Sequence, residues 1–378
     1  MKKAISAGVN SCLFINQDDK VYFTGCNVAS PGMSTHEATL LSDKASPLAV
    51  SVSAGDTHSM LLDAEDRIWT FGNNSNGQLG VEQSSSEGGL NLIDYLPPIQ
   101  SICASLKDQG HSLALDIQGG VWGCGPNNLG QLSFGTGLND HYQFTKIKYL
   151  PRIKSIAAGH NHSMFLDEEG AVWTAGYNAV GELGSPNWNS HIFTPTKIEG
   201  LPPIASLYGK KTFPLFLDVE GGVWVSSGAG FHQELIGLAN VQRVHEPTKI
   251  PNLPPIQAVA AGYRHLVFLD VDQNIWTCGM GPCGTPQNRY GTPAMRNDVL
   301  KVAYALPPVS KIECGAYFTV FQCEDGTIWA HGDNRKGQLG ISTEEKIILP
   351  TLACNNIIIK SQAQKRSTKS ARNLAPSC

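Results

Sequence analysis

An aromatic residue recurs through this chain at a nearly constant interval, and that recurrence limits the fold more than any other feature. Tyr22, Trp69, Trp122, Trp173, Trp224, Trp276 and Trp329 are separated by 47, 53, 51, 51, 52 and 53 residues. A fixed period of this length marks one supersecondary unit, repeated and stacked on its neighbours. Three copies are nearly complete: AGDTHSMLLDAEDRIWTFG at 54–72, AGHNHSMFLDEEGAVWTAG at 158–176 and AGYRHLVFLDVDQNIWTCG at 261–279. HSLALDIQGGVWGCG (111–125), FPLFLDVEGGVWVSSG (213–228) and AYFTVFQCEDGTIWAHG (316–332) are looser. AGVNSCLFINQDDKVYFTG (7–25) carries Tyr22 in the tryptophan's place.

Each unit reads as strands. Ser163–Leu166 and Ala171–Thr174, joined by Asp167-Glu168-Glu169-Gly170, form a hairpin with turn residues at its centre. Short runs of the type Thr194–Ile198 and Lys154–Ala158 supply two more strands. The prolines of Leu96-Pro97-Pro98, Leu201-Pro202-Pro203, Leu253-Pro254-Pro255 and Leu306-Pro307-Pro308 mark where pairing stops, since proline cannot donate to a ladder. Four short strands per unit and no helical periodicity predict an all-β, seven-bladed propeller over residues 1–360. The run 347–360 matches the piece that precedes the Ala-Gly strand in other units. It is expected to complete the blade begun near residue 3, pairing the N- and C-terminal strands and hiding both sheet edges. Residues 361–378 fall outside the repeat and read as a basic, solvated tail with Lys365, Arg366, Lys369 and Arg372.

Composition narrows the function. A hydrophobic content of 41% and a charged content of 16% exclude a disordered chain. Mean hydropathy of -0.14 argues against a multi-span membrane protein. With 28 basic against 32 acidic residues, no global field favours nucleic acid. Ten cysteines with no Cys-x-x-Cys pair read as reduced packing thiols. No stretch near the start is apolar enough for a signal peptide, which predicts a cytoplasmic or nuclear protein, monomeric and without cofactor or metal.

The motif Gly-x-x-His, apolar strand, turn, Val/Ile-Trp-x-x-Gly continues into GNNSNGQLG (72–80), GPNNLGQLS (125–133), GYNAVGELG (176–184) and GDNRKGQLG (332–340). It resembles the regulator of chromosome condensation repeat over essentially residues 3–360. The resemblance implies a seven-bladed propeller whose founding member exchanges nucleotide on the small GTPase Ran through loops on one face. Relatives serve as interaction modules, ubiquitin-ligase attachments or GTPase regulators. The family's important Asp in a Ser-Ala-Gly-Asp-x-His turn falls on Asp56 in SAGDTH (53–58). Its second Asp meets Gly110, with Asp108 nearby, and its important His has no counterpart at Lys211 and Thr212.

The repeat also separates scaffold from site. His58, His111, His162 and His265 share one phase, so they are expected to satisfy backbone groups between blades rather than to bind metal. Trp69, Trp122, Trp173, Trp224, Trp276 and Trp329 are likewise blade-packing residues. The two positions before the motif His differ from blade to blade and face one end of the channel. There Asp56, His160, Asn161, Lys211, Tyr263, Arg264 and Tyr317, with Asp108 on a loop three residues longer than its counterparts, are the candidate partner-binding residues. No Ser-His-Asp order or HExxH suggests hydrolysis. The expected function is therefore protein binding, at its most specific guanine nucleotide exchange on a Ran-like GTPase with Asp56 as exchange candidate; the alternative is a non-catalytic adaptor using the same face.

Overall fold

The computed structural model of the chain describes residues 4–26, 34–41, 47–82, 89–135, 139–178, 181, 183–184, 191–210, 213–227, 244–263, 265–279, 299–302, 305–342 and 346–354. These residues build seven sheets, each of four antiparallel strands in sequential order, with no helix among them. The sheets occupy 5–40, 49–93, 99–146, 153–197, 204–249, 256–302 and 309–353. They close into a ring: Phe318 and Val320 of the last share a buried cluster with Ile5 and Phe14 of the first. The protein is a seven-bladed β-propeller.

Within a blade the second strand is buried along its whole length, as in His58–Asp63, His162–Asp167 and His265–Asp270. Successive side chains point to opposite faces of a strand, so each blade contributes to two seams. Phe165 packs toward the third blade, with Leu113 and Leu115, while Met164 and Leu166 pack toward the fifth, with Leu207 and Phe216. An apolar cluster of this kind fills each of the seven seams. The hydrophobic effect, at about 25 cal/mol per Å² buried, thus holds blade to blade rather than acting at one central core.

The strand order fixes two points. First, the proline turns lie between blades, where pairing stops. Ile153, after Pro151, opens an innermost strand, and Thr194–Ile198 follows the tryptophan strand as the outermost one of the same blade. The turn around Leu201-Pro202-Pro203 therefore crosses from the rim of one blade to the centre of the next. Second, no exchange of terminal strands closes the ring. The first blade has its own outer strand, Ser34–Leu40, and Lys346–Ala353 pairs with Ile328–Asp333 inside the seventh. Because the chain starts on an innermost strand, every blade is one continuous segment. The last seam is held by side chains instead: Lys311 Nζ donates to Ile5 O at 2.6 Å, and Thr24 Oγ1 donates to Gln338 O at 2.9 Å. Residues 355–378, including the basic stretch, lie outside the described residues.

Candidate functional site

The residues that recur from blade to blade form a hydrogen-bonded scaffold. His58 Nε2 lies 3.0 Å from Ser112 Oγ of the next blade, and that hydroxyl donates back to Gln78 O at 2.7 Å. His111 repeats this with Ser163 and Gln131 O, at 2.8 and 2.6 Å. A hydroxyl has one proton, and here the carbonyl takes it, so the imidazole must donate through Nε2. Burial lowers the pKa of His58 to about 4 and, with His162, His58 and Lys107 adding to it, that of His111 to about 3. Both rings are neutral. They reach backbone carbonyls only through a neighbouring hydroxyl, and Gly-x-x-His has a steric cause: a Cβ on Gly159 would stand 2.1 Å from the His162 ring.

The tryptophans do more than pack. Trp69, Trp122, Trp173, Trp224 and Trp276 each donate Nε1–H to an aspartate six residues earlier, at 2.8 to 3.0 Å. The other carboxylate oxygen caps the hairpin turn; in the fourth blade Asp167 Oδ1 accepts Ala171 N–H at 2.7 Å. In the seventh, where Cys323 replaces the aspartate, Trp329 turns to Thr327 Oγ1 at 3.1 Å. The signal was present as an Asp six residues before the anchor in five units.

At the opposite end of the same second strands, the variable turns converge on the channel mouth. Tyr263 is their centre. Its ring meets His160 at 5.5 Å and Tyr317 at 5.9 Å, both edge-on, and its hydroxyl donates to Leu106 O at 3.3 Å. Its N–H donates to Ala316 O at 2.9 Å, and Ala316 N–H to Val9 O at 3.2 Å. Val9, Leu106 and Ala316 form a buried cluster against Tyr263. Groups from blades one, three, four, six and seven therefore plug the mouth. The long third-blade loop was expected to protrude; instead Leu106, only 4% exposed, turns inward, and Asp108 and Gln109 remain exposed. Nothing in the sequence marked Leu106, because the register of an inserted loop cannot be taken from the repeat.

Beside the plug lies an acidic sector. Thr57 Oγ1 donates to the Asp108 carbonyl, tying the long loop to the second blade. Asp56 is half-buried; burial, and next the charge of Asp108, raise its pKa to about 6. Lys107, next to Asp108 in the loop, donates to Asn161 Oδ1 at 2.7 Å instead. Tyr317 is 41% exposed, so the rim offers both charge and apolar surface. Lys211 and Arg264 lie outside the described residues. Among the described residues no group of three or more His, Cys, Asp or Glu could hold a metal, and no helix is long and apolar enough to cross a membrane. A cleft of about 100 Å³, lined by Glu65, Arg67, Asp94 and Pro97, sits at the hairpin end of the second blade, away from Asp56. It is well below the ~300 Å³ at which small-molecule sites begin.

Models of the regulator of chromosome condensation (RCC1) repeat match residues 49–78, 153–182 and 309–338, and a second model of that repeat matches 118–166. The X-linked retinitis pigmentosa GTPase regulator of Canis lupus familiaris is 27% identical over 315 residues, covering 81% of this chain and 31% of that protein. The probable E3 ubiquitin-protein ligase HERC6 of Homo sapiens is 28% identical over 288 residues, 72% of this chain and 27% of that one. This chain thus spans about a third or less of these relatives' length. The solved structure of Prp20p from Saccharomyces cerevisiae superposes with a TM-score of 0.76 at 18% identity, covering 98% of this chain and 97% of that one, and agrees in fold. The chain thus carries regulator of chromosome condensation repeats, matched in the second, third, fourth and seventh blades.

Proposed function

We propose that the channel-mouth rim is a protein-binding surface through which the chain engages a Ran-like small GTPase and promotes release of its nucleotide. The observation carrying this reading is the half-buried Asp56, held beside Asp108 and next to an aromatic plug. A carboxylate whose charge is disfavoured by burial and by a neighbouring carboxylate gains most from a partner's lysine or arginine. Tyr263 and Tyr317 supply the aromatic contact area that interfaces favour. The naming of one relative as a GTPase regulator, and the description of the yeast propeller by its binding to Gsp1p and histones, support the same class of partner. Exchange needs no nucleophile. The propeller has only to bind the nucleotide-free GTPase more tightly than the loaded form, which shifts the population toward release.

A second reading has its own support. Asp108 sits on an extended loop rather than immediately before a motif histidine, and one relative is a probable ubiquitin ligase. On this reading the same rim recruits a protein without exchange. Release of a fluorescent GDP analogue from a panel of small GTPases separates the two. Acceleration that Asp56→Asn abolishes supports exchange; stable binding of a protein at the rim, with no acceleration on any GTPase, replaces it with the adaptor.

A further inference from the structure

The residue that begins each second strand is matched to the second residue of the same strand in the next blade. His58 meets Ser112, His111 meets Ser163 and His265 meets Thr319, each within hydrogen-bond distance. Where the first position is phenylalanine the second is apolar: Phe318 shares a buried cluster with Cys12. At the first seam two small residues, Ser11 and Ser59, hold these positions; Ser59 Oγ is also buried without a partner, but no imidazole is stranded there. The fourth blade breaks the pattern. Its His162 is fully within the seam, at 1% exposure, and the corresponding position of the fifth blade is Pro214, paired in register with Gly209 as Ser163 is with Ala158. Proline has neither a hydroxyl nor an N–H to offer. His162 Nε2 accordingly has no hydrogen-bond partner. A buried polar atom left without a partner costs the seam its desolvation without return.

We propose that the seam between the fourth and fifth blades is the yielding joint of the ring, where neighbouring blades part first. His160 and Asn161 immediately precede His162, so opening at this joint moves two rim residues. The packing around the joint is otherwise complete: Met164, Leu166, Leu207 and Phe216 fill it as their counterparts fill other seams. The defect is one missing hydroxyl, and it can be repaired from either side. Pro214→Ser supplies the hydroxyl; His162→Phe supplies the apolar partner that suits proline.

Hydrogen–deuterium exchange of the full chain tests this. Amides of Ile204–Lys210 are expected to exchange faster than those of the equivalent strands Ile99–Ala104 and Ile153–Ala158. Pro214→Ser is expected to slow them about 5-fold, the worth of one net hydrogen bond, and His162→Phe to slow them as well. Ser112→Ala, which removes a working partner, should bring the same fast exchange to the seam between blades two and three. Equal protection at all three seams in the unmodified chain would overturn the proposal. So would repair variants that fold and leave exchange at Ile204–Lys210 unchanged. Should Pro214→Ser fail to fold, His162→Phe and Ser112→Ala still decide the matter.

Discussion

Asp63 ends one strand of the second blade, Asp56 lies in the turn just before it, and the two have opposite circumstances. Asp63 is 2% exposed and accepts four hydrogen bonds, from Glu65 N–H, Arg67 N–H, Arg67 Nε and Trp69 Nε1, all at 2.9 Å. Burial pushes its pKa up, but these bonds together outweigh it and the carboxyl ends below its ordinary range. Asp56 is buried less, and burial together with Asp108 drives it the other way, to about 6. One carboxylate is completed by its own blade; the other is left in want of a cation. The same contrast separates the two ends of the ring. The hairpin end repeats its chemistry from blade to blade, whereas the channel-mouth end differs at every blade, which is where recognition can reside.

Breaking the completed end should have the largest effect. Asp63→Ala is expected to cost about 3 kcal/mol in urea unfolding, since it strips a turn and an indole of a charged acceptor, and to leave rim binding unchanged in the folded protein. Tyr263→Ala opens the plug and is expected to cost about 2 kcal/mol, from two edge-on aromatic pairs and their burial. At the other extreme, Asp56→Asn should leave the unfolding midpoint almost unmoved below about pH 4, where Asp56 is protonated folded or unfolded, while weakening partner binding at neutral pH about tenfold or more. A fall in stability as large as that of Asp63→Ala would show that Asp56 belongs to the scaffold. Tyr263→Phe, which removes only a 3.3 Å hydrogen bond, is expected to cost less than about 1 kcal/mol.

Acidity sharpens the comparison further. The folded pKa of Asp56 lies above its unfolded value of 3.8, so its contribution favours folding at low pH and is lost as pH rises through about 6. Asp63, with its folded pKa depressed, contributes above pH 3.8 and loses that contribution as pH falls below it. The buried histidines act in the direction of Asp63 but at higher pH. Burial lowers His58 to about 4 and holds His111, His162 and His331 near 3, against 6.5 when unfolded. Whole-chain stability is therefore expected to fall from about pH 6.5 downward. The Asp56 effect emerges as the difference between the unmodified chain and Asp56→Asn, a gap that opens in the variant's favour between about pH 4 and pH 6. A gap that opens instead as pH falls would reverse the assignment.

Much of this was legible beforehand, and the parts that were not share a cause. The tryptophan period gave the blade count, and the disagreement among Asp56, His160, Tyr263 and Tyr317 at two adjacent phases points to the rim. The phase of the blade is not legible in the sequence, because Thr194–Ile198 is nearer in sequence to Leu201-Pro202-Pro203 than to its pairing partners Trp173 and Thr174. The expected exchange of terminal strands rests on that ambiguous phase, and Ser34–Leu40 makes it unnecessary. The role of Asp63 and its counterparts went unread although their spacing from tryptophan is constant, because an acidic residue in a turn is also ordinary solvated chemistry.

Periodicity and residue type alone determined that the chain forms seven short-stranded sheets, since each unit leaves two apolar faces that only another unit can cover. Which residues touch across the ring was decided by tertiary structure. Leu106, Val9, Ala316 and Tyr263 are far apart in sequence and come together only because the inner strands share one axis. The pairing of His162 with Pro214 is of the same kind. Each residue is unremarkable within its own repeat, and the mismatch arises only when one blade is set against the next.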